Sequence, residues 1–340
     1  MELSRNKIRV LVVDDSLLFR EVISRGISSD PRIEVVATAN DPFDARDKII
    51  EYKPDVMTCD VNMPKMDGIE FIRRLLPQYP IPVVVVSSVN GAVFDAINAG
   101  AIDFIAKPDM SSSRGIAEFI HEMIEKIKIA YVAKIRYISK ERTDNKIYGS
   151  SQFNNRMIAI GASTGGTEAI GAILKALPLH TPGIVIVQHI PPSFSRMFAE
   201  RLNETVGLCV KEAETGDVVK EGQVLIAPGD KHMKIIKAGG KYKVNCYAGE
   251  KVSGHCPSVD ILFESVAKEV GKNAIGIILT GMGADGARGL LSMRKKGART
   301  IGQDQKSSVV YGMPKAAYDM GAVEIQSPLN EIAQQLFKLL

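Results

Sequence analysis

The chain reads as an α/β protein made of two doubly wound domains, the first flavodoxin-like and the second a mostly parallel α/β domain. Three observations predict this. The length of 340 residues exceeds what a single core usually fills. Short Val/Ile-rich runs without polar alternation recur through both halves, as in parallel strands covered on both faces. Helical patterns separate these runs, the alternation of a βαβ chain.

In the first half, Ile8–Val13, Ile33–Ala37, Asp55–Cys59, Pro82–Val86 and Ile102–Ile105 read as five strands. Polar residues fall at their ends. Asp14 and Asp15 follow the first, Asp60 the third, Ser87 the fourth, and Lys107-Pro108 the fifth. Ligands of such sheets sit at the carboxyl ends of the strands, and in the order 2-1-3-4-5 the first and third strands are neighbours. Three carboxylates then converge, and a hard divalent cation such as Mg²⁺ is expected to offset their repulsion. Lys107 and Ser87 stand where an ammonium and a hydroxyl reach the oxygens of a phosphoryl group. Taken singly, Asp14 and Asp15 also fit a helix cap and Asp60 a loop residue.

Ile116, Phe119, Ile120, Met123, Ile124, Ile127 and Tyr131 recur at helical spacing and predict the last helix of this domain. The apolar stripe continues through Ile135 and Ile138. Residues 139–155 are polar and form the candidate linker. The expected division is 1–125, a helix extension and linker over 126–152, and a second domain over 153–340.

In the second half, strands are predicted at Met157–Ala162, Gly183–Gln188, Val224–Ile226, Ala274–Leu279 and Thr300–Gly302. A hairpin is predicted from Lys234–Ile236 and Lys241–Asn245. Ser163 ends the first strand within Gly161-Ala162-Ser163-Thr164-Gly165-Gly166, Gln188-His189 ends the second, and Thr280-Gly281-Met282-Gly283-Ala284-Asp285-Gly286 follows Ile277-Ile278-Leu279. Ends of a parallel sheet face one side. Ser163, His189 and Asp285 therefore make a candidate nucleophile, base and orienting carboxylate for acyl transfer. The backbone N–H groups of Thr164 and Met282 are candidate oxyanion donors.

Other readings compete. A Gly-rich turn after a strand also binds phosphate, although the turn at Ser163 carries neither G-x-G-x-x-G nor GK[ST]. His189 also fits a satisfied core residue, and Asp285 a helix cap. An α/β-hydrolase places its acid between Ser and His and would require Asp230 or Asp260 with His232 or His255. A metal-dependent hydrolase lacks a ligand spacing such as H-E-x-x-H, and a non-enzymatic binding module lacks a helix-turn-helix signal or basic stripe.

Composition bounds the rest. No apolar run of about 18 residues marks a membrane span, and the amino terminus lacks a signal-peptide core, so a cytoplasmic protein without membrane insertion is expected. Residues 1–110 hold 13 Lys+Arg against 17 Asp+Glu, and the remainder 30 against 22, within a net charge of +4. Such balances are ordinary for solvated surfaces and give no sign of nucleic acid. Cys59, Cys209, Cys246 and Cys256 form no C-x-x-C and read as buried reduced thiols. The adjacent pair His255-Cys256 is read as structural.

Two family resemblances extend this reading. Val12-Val13-Asp14-Asp15-Ser16, the run Asp60-Val61-Asn62-Met63-Pro64-Lys65-Met66-Asp67-Gly68, Val86-Ser87 and Phe104-Ile105-Ala106-Lys107-Pro108 resemble the receiver domain of bacterial response regulators. The resemblance implies that Asp60 is the phosphoacceptor and that Asp14, Asp15 and Asp60 bind Mg²⁺. It further implies that Ser87 and Lys107 sense the phosphoryl group, that Phe104 is the switch aromatic, and that a chemotaxis histidine kinase is the phosphoryl donor. The Ser163, Gln188-His189 and Asp285 motifs resemble the bacterial chemotaxis protein-glutamate methylesterases (the CheB family). So do Ala227-Pro228-Gly229, Gln303-Asp304 and Gly312-Met313-Pro314. This implies a Ser163–His189–Asp285 triad that needs no cofactor for ester hydrolysis and acts on methylated chemoreceptor cytoplasmic domains, with deamidation of receptor glutamines in some members. The unphosphorylated receiver is then expected to cover the strand end bearing Ser163, and phosphorylation of Asp60 to shift that interface.

Overall fold

A computed structural model describes residues 7–88, 92–108, 113–133 and 156–340. The chain divides into two compact units, Met1–Ile138 and Ser139–Leu340.

The first unit is built on five parallel strands, β1 (Ile8–Val13), β2 (Ile33–Ala39), β3 (Val56–Asp60), β4 (Val83–Ser87) and β5 (Asp103–Ala106), in the order β2-β1-β3-β4-β5. Every residue of β3 and β4 is buried, which is why their sequences do not alternate. The closing helix, Ser113–Val132, buries Phe119, Met123, Ile124 and Ile127 as the periodicity predicts. Tyr131, on the same stripe, is exposed. The predicted continuation through Ile135 and Ile138, and the polar stretch 139–155, lie outside the described residues.

The second unit holds seven parallel strands: β6 (Met157–Ala162), β7 (Gly183–Gln188), β8 (Cys209–Glu212), β9 (Gln223–Ile226), β12 (Ala274–Ile278), β13 (Arg299–Gln303) and β14 (Ile325–Ser327). Their order is β14-β13-β12-β6-β7-β9-β8. The predicted hairpin is a separate antiparallel pair, β10 (His232–Ala238) with β11 (Lys241–Tyr247). Its inward residues Met233, Ile235 and Val244 join Leu262, Phe263 and Val266 of the helix Val259–Glu269 in one core with the sheet. That packing fixes the start of this helix against the middle of the sheet, the region that bears the candidate residues.

The cysteine expectation needs one correction. All four are free thiols, but only Cys59 is buried; Cys246 and Cys256 are half-buried and Cys209 is exposed. Cys209 opens β8, the edge strand of the sheet, where one side of the backbone has no neighbouring strand among the described residues.

Candidate active site

The middle of the seven-stranded sheet runs β12-β6-β7, with Gly161 opposite Ile278 and Ala162 opposite Gln188. Ser163 and His189 are the next residues after that last pair, so ordinary strand spacing sets their backbones about 5 Å apart. The ladder carries past the strands: His189 N–H donates to the Ala162 carbonyl at 3.1 Å, and Ser163 N–H to the Thr280 carbonyl at 3.0 Å. The Gln188 side-chain amide donates to the carbonyls of both Ser163 (2.9 Å) and His189 (3.1 Å), tying the two strand ends together.

After Ser163 the chain must reverse into a helix within two residues. Gly165 does this with φ of 75°, and there a Cβ would lie 2.6 Å from Val309. The helix Gly166–Lys175 then begins with no side-chain cap on its first N–H groups among the described residues.

The third loop is clamped from below. Thr280 N–H donates to Gln303 Oε1 at 2.8 Å, and its hydroxyl donates to the Thr164 carbonyl at 3.0 Å while accepting from Val310 N–H at 3.0 Å. Gly281 packs so closely that a Cβ there would lie 2.6 Å from Ser163 Cβ and 2.4 Å from Met313 Sδ. Gly281→Ala is accordingly expected to displace Ser163 and lower any acyl transfer that uses its hydroxyl about 10²-fold, the scale of an ångström-sized misplacement. Hydrolysis assays on the folded variant check this. The Met282 side chain is 47% exposed, and its N–H makes no hydrogen bond among the described residues.

Asp285 is 1% exposed and carries four hydrogen bonds. Oδ1 accepts from Ser258 Oγ at 2.8 Å and Asp260 N–H at 3.0 Å; Oδ2 accepts from Val259 N–H at 2.7 Å and His189 Nε2 at 2.9 Å. The carboxylate thus sits on the amino end of the helix Val259–Glu269, where free N–H groups and the helix dipole favour an anion. Burial alone would raise its pKa; the bonds from His189 and the two backbone N–H groups outweigh this and hold the carboxyl below its ordinary value. With Nε2–H committed to Asp285, Nδ1 is the acceptor nitrogen of His189. It is buried and has no hydrogen-bond partner among the described residues.

The structure therefore brings Ser163, His189 and Asp285 to one sheet edge with Thr164 and Met282 beside them. His189 lies against Asp285 through Nε2, and the Ser163 hydroxyl makes no hydrogen bond among the described residues. The arrangement holds the parts of acyl transfer: a hydroxyl, an imidazole fixed in one tautomer, and a carboxylate that fixes it. The alternative acid–base pairs do not form. His232 accepts from Ser258 N–H and donates to the Glu250 carbonyl, while Asp260 binds Arg288 and Gly289 N–H.

Sequence reading missed two neighbours of this site. Ser258, which caps the helix Val259–Glu269 through Ile261 N–H, also donates to Asp285 Oδ1. His255, set aside with Cys256, stacks on His189 with ring centroids 3.7 Å apart. Neither carries a local signal, since the contacts join distant stretches of chain.

The first unit gathers its own polar cluster. Lys107 Nζ lies 2.7 Å from Asp60 Oδ2 and 2.9 Å from Asp14 Oδ2, and ligand atoms of Asp14, Asp15 and Asp60 all lie within 4.8 Å of one another. Burial raises the Asp14 pKa against the opposing pull of Lys107. One lysine for three carboxylates leaves negative charge in excess, and an all-oxygen set suits a hard divalent cation. Ser87 is buried beside this cluster, its carbonyl accepting from Lys107 N–H at 2.8 Å. Phe104 is buried edge-on to Phe94 at 6.1 Å.

The sequence matches the family described as CheB methylesterase over residues 158–336 and the family described as Response regulator receiver domain over residues 10–116. A Syntrophomonas wolfei protein named "Protein-glutamate methylesterase/protein-glutamine glutaminase 2" is 61% identical over 337 residues, covering 98% of each chain. A Syntrophotalea carbinolica protein named "Protein-glutamate methylesterase/protein-glutamine glutaminase" is 50% identical over 347 residues, again covering 98% of each. Among solved structures, the Thermotoga maritima CheB methylesterase catalytic domain matches 55% of this chain and 100% of its own, with a TM-score of 0.54 and 37% identity.

Proposed function

The chain belongs to the CheB methylesterase family, and from that premise we propose that it hydrolyses glutamate γ-methyl esters on chemoreceptors to glutamate and methanol, under control of phosphorylation of its receiver domain. The observation that supports Ser163, His189 and Asp285 as its triad is the state of His189: Nε2 is bound to a buried carboxylate, and Nδ1 is left as a buried free acceptor at the strand end beside Ser163.

In this reading Ser163 Oγ attacks the ester carbonyl carbon while His189 Nδ1 takes the hydroxyl proton. Asp285 stabilises the imidazolium without itself taking a proton. The N–H groups of Thr164 and Met282 hold the oxyanion, each contributing about 3 kcal/mol to transition-state stabilisation. Collapse breaks the bond to the methoxy oxygen, which leaves as methanol with the proton from His189. Water, deprotonated by the same nitrogen, then cleaves the acyl-enzyme to glutamate and restores Ser163. A glutamine side chain follows the same course with ammonia as the leaving group, giving deamidation.

A receiver domain takes its phosphoryl group from a donor kinase, here proposed to be a chemotaxis histidine kinase, and the esterase acts on a protein substrate. Asp60 is the proposed phosphoacceptor, with Lys107 and Ser87 facing the phosphoryl group and Phe104 as the switch aromatic. Asp14, Asp15 and Asp60 would hold Mg²⁺, which supplies charge neutralisation for phosphoryl transfer. Among the described residues, no helix is long and apolar enough to cross a membrane; we place the protein in the cytoplasm, with the receptor domains it acts on.

The experiment is methanol release from a methylated receptor cytoplasmic fragment. Turnover is expected, and stable binding without turnover would overturn the enzymatic reading. A phosphoryl donor with Mg²⁺ is expected to raise the rate. In Asp60→Asn the basal rate persists and that rise is lost, and a chelator removes the rise from the unaltered protein.

A further inference from the structure

His255 lies flat on His189, with ring centroids 3.7 Å apart and planes within 6°. Its backbone is held by hydrogen bonds. Val252 and His255 exchange two N–H···O bonds of 3.0 Å each, closing a two-residue turn whose central residues Ser253 and Gly254 have φ of 52° and 84°. Arg288 donates to Ser253 Oγ at 3.2 Å and to Asp260 Oδ2 at 3.1 Å, and Ser253 Oγ donates to the same carboxylate at 3.1 Å. This latch anchors the turn to the helix whose first N–H groups bind Asp285. One stretch of chain, 252–260, therefore touches both the imidazole and the carboxylate.

Resting on the triad reading above, we infer that His255 is a positioning residue for His189. Its ring restricts rotation of the neighbouring imidazole, so that Nε2 stays on Asp285 and Nδ1 stays presented to Ser163. The contact is one of faces. In parallel rings the N–H bonds and lone pairs lie in separate planes, so neither histidine hydrogen-bonds to the other. The His255 Nδ1 proton is instead given to the Ser253 carbonyl at 3.0 Å. For the same reason the trio His189, His255 and Asp285, though its ligand atoms lie within 4.8 Å, does not aim its lone pairs at one cation.

The charge state agrees. Burial first, then the charge of His189, push the His255 pKa down to about 4, against the opposite pull of Asp285. His255 is thus uncharged where serine esterases work. An uncharged ring face against the imidazolium that forms on His189 is attractive, whereas a second cation would oppose it.

The test compares His255→Ala, which removes the ring, with His255→Phe, which keeps a flat ring and removes both nitrogens, in the full chain and with the methylated receptor fragment as substrate. Ala is expected to lower kcat roughly 10- to 100-fold with KM within about twofold, a loss of orientation and not of binding. Phe is expected to restore most of kcat and leave the shape of the pH profile unchanged. Nitrogen-15 NMR of the ring is expected to show one fixed His189 tautomer in the parent and in Phe, and averaging in Ala. Unaltered kcat in Ala overturns the inference, and so does a Phe variant as impaired as Ala, which would make the nitrogens the active feature. If Ala does not fold, His255→Leu, which has bulk without a plane, takes its place under the same expectations. Ser163→Ala run alongside separates the two claims. If it abolishes turnover while His255→Ala does not alter it, only this inference falls; if it leaves turnover intact, the triad reading falls.

Discussion

Ser163→Ala is expected to reduce methyl-ester hydrolysis by about 10⁴-fold or more, with the fold unaltered. The expectation follows from what the residue contributes and what it does not. Its hydroxyl makes no hydrogen bond among the described residues, whereas its backbone does: N–H to Thr280, carbonyl from Gly166 N–H and from Gln188. Deleting one oxygen therefore leaves the loop anchored, and the stability change should stay within about 0.5 kcal/mol. The proposed reaction, by contrast, loses the atom that would form the acyl-enzyme. Triad residues act as a unit, so removing the nucleophile costs nearly as much as removing all three, and what remains comes from the oxyanion site and binding. Methanol release alongside a thermal melt by circular dichroism decides it. A folded variant within tenfold of the parent rate would mean that another group attacks the ester.

The strands that carry Ser163, His189 and Thr280 were legible because fully buried parallel strands leave an unmistakable apolar run, and because a parallel sheet puts every strand end on the same side. That one geometric rule brought three residues from distant stretches to a common edge, and it did the same for Asp14, Asp60 and Lys107. Strands β8 and β14 were not foreseen. Cys209-Val210-Lys211-Glu212 and Ile325-Gln326-Ser327 are short, half-polar edge segments, and their pairing with β9 and β13 is what makes them strands. The supports of the proposed triad are hidden for a related reason. Nothing in the sequence around Ser258 singles it out, and His232 and His255 enter the sequence reading only as alternative bases, His255 also as a structural neighbour of Cys256. Only the packing of the hairpin and of the helix Val259–Glu269 onto the sheet sets Ser258 against Asp285 and His255 against His189, with His232 accepting from Ser258 N–H.

Asp285→Asn is expected to lower kcat by about 10³- to 10⁴-fold while the serine and imidazole remain in place. All four partners of the carboxylate are donors: Ser258 Oγ, Asp260 N–H, Val259 N–H and His189 Nε2. An ionised carboxylate accepts from all of them; an amide supplies one oxygen and one NH₂. If the NH₂ takes the Oδ2 position, it faces Val259 N–H and demands an acceptor at His189 Nε2. The imidazole then carries its proton on Nδ1 and can no longer receive one from Ser163. If the NH₂ takes the Oδ1 position, the Ser258 hydroxyl can turn to accept, but Asp260 N–H is left buried without a partner, at a cost of about 1–3 kcal/mol. The first orientation destroys the base and the second destabilises the start of the helix Val259–Glu269, so the variant should lose activity, stability or both. The pH dependence of unfolding separates these effects. Because folding lowers the Asp285 pKa, the parent gains stability from this group above the unfolded value of 3.8 and loses it as pH falls through the folded value. Asp285→Asn lacks a group to titrate there, so its urea unfolding curves should shift less between neutral and acidic pH than those of Ser163→Ala. If the variant keeps parental kcat, Asp285 is no more than a helix cap, and the orientation of His189 must be held by its stacking on His255 alone.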